Sequence, residues 1–354
     1  MKVLYLTKYS RNAGSSRLRS YQYFPFLREQ GITIEVSPLF SERYLAQLYA
    51  GKSTKAEALK GYVRRFCKLF SVRRYDKLII EKELFPYLPA WFERVLSWLG
   101  IKYIVDYDDA IFHNYDQHPN IWLRKLLGDK IDQVMRYSDC VIAGNSYLAD
   151  RAQRSGAKEI TIIPTVIDID RYPEKAWSDP VDKLVVGWVG TKSTFEKHFM
   201  LLADQVQRLT MAYPNLFFHV IGAPDNGQFN DQVRFIPWSE DTEVSEILKF
   251  DVGLMPLVDS DWEKGKCAYK LIQYMACGIP GIASAVGANV EVVNEENGFL
   301  AKSTGDFEKI IIGLASDPAL LSAKSRSARK DVKRQFTLQV HRENILTILK
   351  NGTT

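Results

Sequence analysis

Two apolar runs constrain this chain more than anything else in it. KVLYLT at residues 2–7 and LVVGWVG at 184–190 are each long enough for one buried strand. Each is followed by a polar loop containing Gly, Ser or Thr and then by a helical pattern. Runs that are apolar without alternation belong to strands buried on both faces, as in a parallel sheet covered by helices. Further runs at 32–36, 77–80, 101–105, 139–143 and 160–164 follow the first start; runs at 217–221, 233–236 and 281–284 follow the second. Two starts in 354 residues predict two Rossmann-like α/β domains with doubly wound parallel sheets. The polar, Pro-containing stretch 168–183 reads as the linker.

Several familiar phosphate signatures are absent. The loop KYSRNAGSSRLR lacks GxGxxG, which disfavours a nicotinamide dehydrogenase. The glycines of GWVGTKS are too close for a Walker A loop, and Ala46 stands where GKST at 51–54 would need its leading glycine. The net charge of +5 is too mild and too dispersed for nucleic acid. Cys67, Cys140, Cys267 and Cys277 show neither metal-ligand spacing nor a disulfide framework, so reduced thiols of a cytoplasmic protein are expected. The apolar run in MKVLYLTKYSR is too short for a signal peptide, and no run is long enough to span a membrane.

The densest pattern is residues 262–293, WEKGKCAYKLIQYMACGIPGIASAVGANVEVV. It predicts a helix over 266–277 stopped by Gly278 and Pro280, the strand GIAS, and a turn at Gly287 opening another helix. On that first helix Lys266, Lys270 and Gln273 share one face, setting two cations and an amide at a helix N-terminus that itself favours anions. A diphosphate beside a sugar or ribose hydroxyl would suit this set; a solvated lysine face is the competing explanation.

This stretch, with Asp251–Pro256 before it and Asn297-Gly298-Phe299-Leu300 after it, resembles the donor-binding half of GT-B glycosyltransferases, most closely the retaining family 4 enzymes (glycosyl transferases group 1). The resemblance implies an acceptor domain over 1–168, a nucleotide-sugar domain over 183–335, sheets facing across a cleft, and a last helix within 336–354 that crosses back to the first domain. In that family two glutamates eight positions apart precede Ala-Met-Ala-x-Gly-x-Pro. Here Gly265 and Gln273 stand in their places; Gln273 can still bond a ribose hydroxyl, whereas the sugar-contacting acid has no replacement unless nearby Glu263 reaches the same place. Gly14 in the first loop, and Gly190, Thr191 and Lys192 (or Lys197) after the second-domain strand, are implied as donor-phosphate contacts. Trp238 follows a strand where the family's loop borders the nucleobase, and stacking there competes with a plain surface tryptophan.

Two charged segments remain. Asp106, Asp108 and Asp109 cluster at the end of a parallel strand, where α/β folds place ligands. Their mutual repulsion should raise at least one pKa. The family's matching loop presents a histidine to the reacting sugar and acceptor; Asp108 and Asp109 occupy that place, followed by His113 and His118. For Asp109, capping the next helix is the alternative. Between residues 42 and 76 basic residues alternate with aromatics, so Arg64, Arg65 and Lys68 beside Tyr62, Phe66, Leu69 and Phe70 form a basic amphipathic helix. It would either dock on an anionic membrane or pack on its own sheet. Arg17 and Arg19, with Arg11, sit beside the first loop, facing the acceptor or merely solvating a helix start.

The function expected is transfer of a sugar, with retention, from a nucleotide diphospho-sugar to a hydroxyl of a glycan or lipid-linked acceptor. The setting would be surface polysaccharide or lipid-linked glycan synthesis by a cytoplasmic protein, peripheral on the inner face of the plasma membrane. Lys270, Asp108 and Asp109 would carry the chemistry, Lys266 and Lys192 neutralising phosphate so that no metal or other cofactor is required. A non-catalytic GT-B partner subunit or a nucleotide-sugar epimerase is the alternative.

Overall fold

The computed structural model describes residues 1–177, 183–317 and 319–351, so part of the expected linker, residues 178–182, lies outside them. The chain divides into two compact units. The first comprises Met1–Thr165, Gly265–Cys267 and the chain from His341 on; the second comprises Val166–Lys264 and Ala268–Val340.

The first unit holds β1 (Lys2–Leu6), β2 (Thr33–Val36), β3 (Lys77–Glu81), β4 (Tyr103–Tyr107), β5 (Cys140–Ala143) and β6 (Ile160–Ile162). All pair in parallel in the order β2-β1-β3-β4-β5-β6. The second holds β7 (Leu184–Val189), β8 (Leu216–Ile221), β9 (Val233–Ile236), β10 (Val252–Met255), β11 (Gly281–Ser284) and β12 (Gly298–Ala301), also all parallel, in the order β12-β11-β10-β7-β8-β9. Chain direction across each sheet reverses once, beside β1 in the first and beside β7 in the second. Ligands of open α/β sheets bind outside the strand C-termini at such a switch point. Along β7, Leu184, Val186 and Trp188 enter one core and Val185 and Val189 the other, so both faces are covered and no polar alternation survives.

Helices depart from expectation where backbone chemistry intervenes. After β1 the helical pattern is carried by two helices, Gly14–Arg19 and Phe24–Glu29, the second opening with Pro25 in its first turn. In the aromatic-rich stretch 84–100 the helix is confined to Trp91–Trp98, because Pro86 and Pro89 bar a helix upstream. The helix read over 266–277 begins only at Tyr269 and runs to Ala276, after Ala268 at a left-handed φ of 51°. The last helix, Leu338–Lys350, ends in the first unit, where Arg342 stacks over Phe26 and Lys77 Nζ donates to Asn351 O at 2.6 Å.

Candidate functional site

In the second unit the turn after β7 is built around Trp188. Gly190 has no room for a side chain, since a Cβ there would stand 2.3 Å from the Trp188 ring and 2.6 Å from Thr194 Oγ1. Thr191 caps the helix Lys192–Lys197 in a reciprocal box with Thr194, leaving Thr191, Lys192 and Ser193 exposed. Lys270 lies in the first turn of the helix Tyr269–Ala276, and its ammonium stands 4.5 Å from the Trp188 ring centroid. The structure thus joins Gly190 and Lys270, 80 residues apart in sequence, through one buried indole. A helix N-terminus carrying a lysine next to a tight strand-to-helix turn is a set of groups suited to phosphate.

Lys266 does not share that helix face. It precedes Ala268 and groups with the first unit, where Asn145 Nδ2 donates to its carbonyl at 2.9 Å. The expected alignment of Lys266, Lys270 and Gln273 is therefore corrected, because the helix starts three residues later than its apolar spacing suggests.

Gln273 is 1% exposed and its amide is engaged: Nε2 donates to Tyr172 Oη at 3.1 Å and to Glu243 Oε2 at 2.9 Å. The other carboxylate oxygen, Glu243 Oε1, accepts from Trp238 Nε1 at 2.7 Å. Gln273 thus acts as a buried strut beneath Glu243, and Glu243 orients an indole that is 43% exposed. Sequence reading found both ends of this chain but missed Glu243 and Tyr172, which sit in polar segments without a pattern to mark them.

The missing acid at 265 has a steric cause. A Cβ on Gly265 would come within 2.5 Å of Ala110 Cβ and 2.6 Å of Ala110 N, so only glycine fits. Glu263 does not replace it: the side chain is buried, 2.6 Å from Lys197 Nζ, 3.6 Å from His198 Nε2, and bonded by Ser260. Burial pushes the Glu263 pKa up, but hydrogen bonds from Lys197 and Ser260 outweigh it and hold it below the ordinary value. Lys197 is thereby committed to that carboxylate.

In the first unit the strand ends beside the switch point carry a buried ionic network. Lys82, directly after β3, adopts a left-handed φ of 68° that costs a non-glycine residue about 1–2 kcal/mol. That turn aims Nζ at Asp108 Oδ1 (2.8 Å) and Asp109 Oδ2 (3.2 Å). Ser15 donates to Asp108; Ser16 and the Lys8 N–H, at 3.0 Å, donate to Glu81. The three acids do not behave alike. Burial raises Asp106 despite Arg19, whereas burial of Asp108 is outweighed by Lys82 and Arg19, which bring it down to about 2. Asp109 is the more exposed carboxylate, and the helix that follows begins at His113 behind Phe112, so Asp109 does not cap it. Lys82 and Glu81 went unread, although charged residues ending an apolar strand were a usable signal. His113 is held between Asp116 and Tyr147 at 2.8 and 2.9 Å, and His118 accepts from the Asn120 N–H.

The expected acceptor or membrane cations need correction. Arg19 is buried, forked onto Asp106 and donating to Ile163 O at 2.8 Å. Arg65 is buried, donating to Thr7 O at 2.6 Å and Ser37 O at 2.9 Å, and burial brings its pKa down to about 9. Lys68 is bound to Glu35 and to Tyr75 Oη. Arg64 is exposed yet donates to Pro38 O at 2.6 Å. These side chains fasten the helix Lys55–Leu69 to its own unit. Gly14, exposed, and Arg17, half-buried, lie on the helix Gly14–Arg19 after β1.

Residues 183–317 match the family Glycosyl transferases group 1. No curated protein sequence matches the chain. Among solved structures, sucrose-phosphate synthase from Thermosynechococcus elongatus aligns at a TM-score of 0.69 and 14% identity, covering 98% of each chain. A glycosyltransferase from Rickettsia africae aligns at 0.71 and 12%, covering 99% of this chain and 97% of that one. HepE from Anabaena, solved in complex with UDP-glucose, aligns at 0.66 and 17% over 99% of each. The fold is GT-B, and the class that fold and domain define together is a glycosyltransferase. More particularly, the match to the Glycosyl transferases group 1 family, over residues 183–317, lies within the second unit apart from Gly265–Cys267.

Proposed function

We propose that the chain is a retaining glycosyltransferase that takes its sugar from a nucleotide diphospho-sugar and gives it to a hydroxyl of a glycan or lipid-linked acceptor. The observation that carries this reading is the convergence of the Gly190–Thr191 turn and Lys270 on Trp188. Fixed cations and backbone N–H groups stabilise charge developing on a departing diphosphate without reorganising during the step. In this scheme the bond from the anomeric carbon to phosphate breaks while the acceptor oxygen bonds the same face. The acceptor proton passes to the departing phosphate oxygen. Trp238, held by Glu243 and Gln273, borders the nucleobase, and Lys192 and Lys270 take the phosphates in place of a metal ion. In the first unit Asp109, with Asp108 fixed behind it by Lys82, faces the acceptor. Surface polysaccharide or lipid-linked glycan assembly in the cytoplasm is the proposed setting.

The structural similarity to HepE, solved with UDP-glucose, makes uridine diphospho-sugars the first donors to test. Incubation with UDP-, GDP-, ADP- and dTDP-sugars, with chromatography of the released nucleoside diphosphate, should show turnover of one base class, lost in Lys270→Ala. The anomeric configuration of the product, read by NMR, should match the donor. Nucleotide binding without release from any donor would instead favour the non-catalytic subunit, to which glycine at 265 and the engaged amide of Gln273 lend support.

A further inference from the structure

Among the described residues, sixteen of the twenty-three large apolar side chains that remain exposed belong to the first unit. They are not scattered. On the helix Lys55–Leu69 and its cap, Leu59, Val63, Phe66 and Phe70 recur at helical spacing and all face outward, Phe70 at 80% exposure. On the helix Trp91–Trp98, Trp91, Val95 and Trp98 do the same, Trp98 at 82%. The two helices touch at Phe66, whose ring lies 5.3 Å from Phe70 and 6.0 Å by centroid from the half-buried Phe92 of the second helix. Two exposed apolar stripes on touching helices mark an interaction surface.

Charge identifies what it meets. Between residues 50 and 75 eight lysines and arginines stand against one acid, Glu57, while the whole chain carries only +5. With Arg65 and Lys68 turned inward and Arg64 donating to Pro38 O and Leu39 O, Lys52, Lys55, Lys60, Arg73 and Arg74 remain toward solvent. Arg94 adds an exposed cation to the second helix, whose acid, Glu93, is buried with Oε1 accepting from the Leu84 N–H. Tryptophan and phenylalanine rimmed by cations fit a phospholipid surface, where indoles settle at headgroup depth and basic side chains meet lipid phosphates.

We infer that the face formed by the helices Lys55–Leu69 and Trp91–Trp98 docks on an anionic lipid bilayer. Leu59, Val63, Phe66, Phe70, Trp91, Val95 and Trp98 enter the headgroup–acyl boundary, and the exposed lysines and arginines pair with lipid phosphate. The docking groups therefore differ from Arg65 and Lys68, and the inference rests on this surface alone, independent of sugar transfer.

The test is co-sedimentation of the full chain, without donor or acceptor, on phosphatidylcholine vesicles with and without phosphatidylglycerol. Binding should require the anionic lipid and weaken with salt. Arg73→Gln/Arg74→Gln should lower the partition constant about 30-fold at about 1 kcal/mol per cation. Trp91→Ser/Trp98→Ser should abolish binding while the melting temperature stays unchanged, both indoles being exposed. No binding to anionic vesicles, equal binding to neutral ones, or unchanged binding in both variants would overturn the inference. So would concentration-dependent self-association that the tryptophan variant dissolves, which would assign the face to a second copy. Failure here leaves donor turnover untouched, so the two readings fail separately.

Discussion

Replacing Lys82 by Met should expose how much the first unit depends on one strained cation. The variant keeps the side-chain length but removes the only charge bonded to both Asp108, at 2.8 Å, and Asp109, at 3.2 Å, among the described residues. The Asp108 side chain is only 11% exposed, so removing its nearest cation leaves a largely desolvated carboxylate held by Ser15 and by the field of Arg19, a change that costs up to about 3–5 kcal/mol. The left-handed φ of 68° remains, so no relief of strain offsets the loss. Asp108 sits at about 2 in the native protein, below its ordinary value, so the pair stabilises the fold above the unfolded carboxylate range and fades as pH falls toward 2. In Lys82→Met burial is no longer opposed by Lys82 and Asp108 takes up a proton at higher pH, so the stability gap to wild type should be widest near neutrality and narrow toward pH 4. Urea unfolding of both proteins across that range, followed by tryptophan fluorescence, measures the gap. Lys82→Arg, which keeps the charge, should recover most of it. A gap below about 1 kcal/mol at neutral pH, or one independent of pH, would refute the electrostatic account.

Gly265→Ala should cost about 1–3 kcal/mol by overpacking against Ala110, seen as a lower melting temperature, and Gly265→Glu should cost more. Arg65→Met should destabilise by about 1–3 kcal/mol, because buried Ser37 O loses its donor and Thr7 O keeps only the Leu39 N–H, while Arg64→Gln at the exposed neighbour should stay within about 0.5 kcal/mol by urea titration. Trp238→Ala should weaken nucleoside diphosphate binding about 2- to 10-fold by calorimetry, and Gln273→Leu should act in the same direction by freeing Glu243.

How far the sequence carries varies with the physics involved. Parallel strands were legible because burial on both faces leaves continuous apolar runs, and the strands of both sheets lie where those runs fall except β10 and β12, which were legible only as motif stretches. Helix bounds were less so: the apolar spacing of 266–277 continues through residues that a left-handed Ala268 and a glycine packed on Ala110 exclude from the helix. Direction was the hardest property. Arg65 and Phe66 are neighbours in a basic, aromatic segment, yet one reaches inward to backbone carbonyls and the other faces out. Composition cannot distinguish them, because a buried arginine needs only acceptors, and carbonyl oxygens leave no trace in sequence. Asp108 was legible as unusual, but its lowered pKa depends on Lys82, 26 residues away.

The central claim is that the Gly190–Thr191 turn and Lys270 hold a nucleoside diphosphate. Calorimetric titration with UDP, GDP, ADP and dTDP, on wild type and Lys270→Ala, tests it most directly. The account predicts saturable binding of one base, weakened about 10- to 100-fold in the variant by loss of a charge-assisted phosphate contact. Equal affinity in Lys270→Ala, or no binding by any of the four, would contradict it.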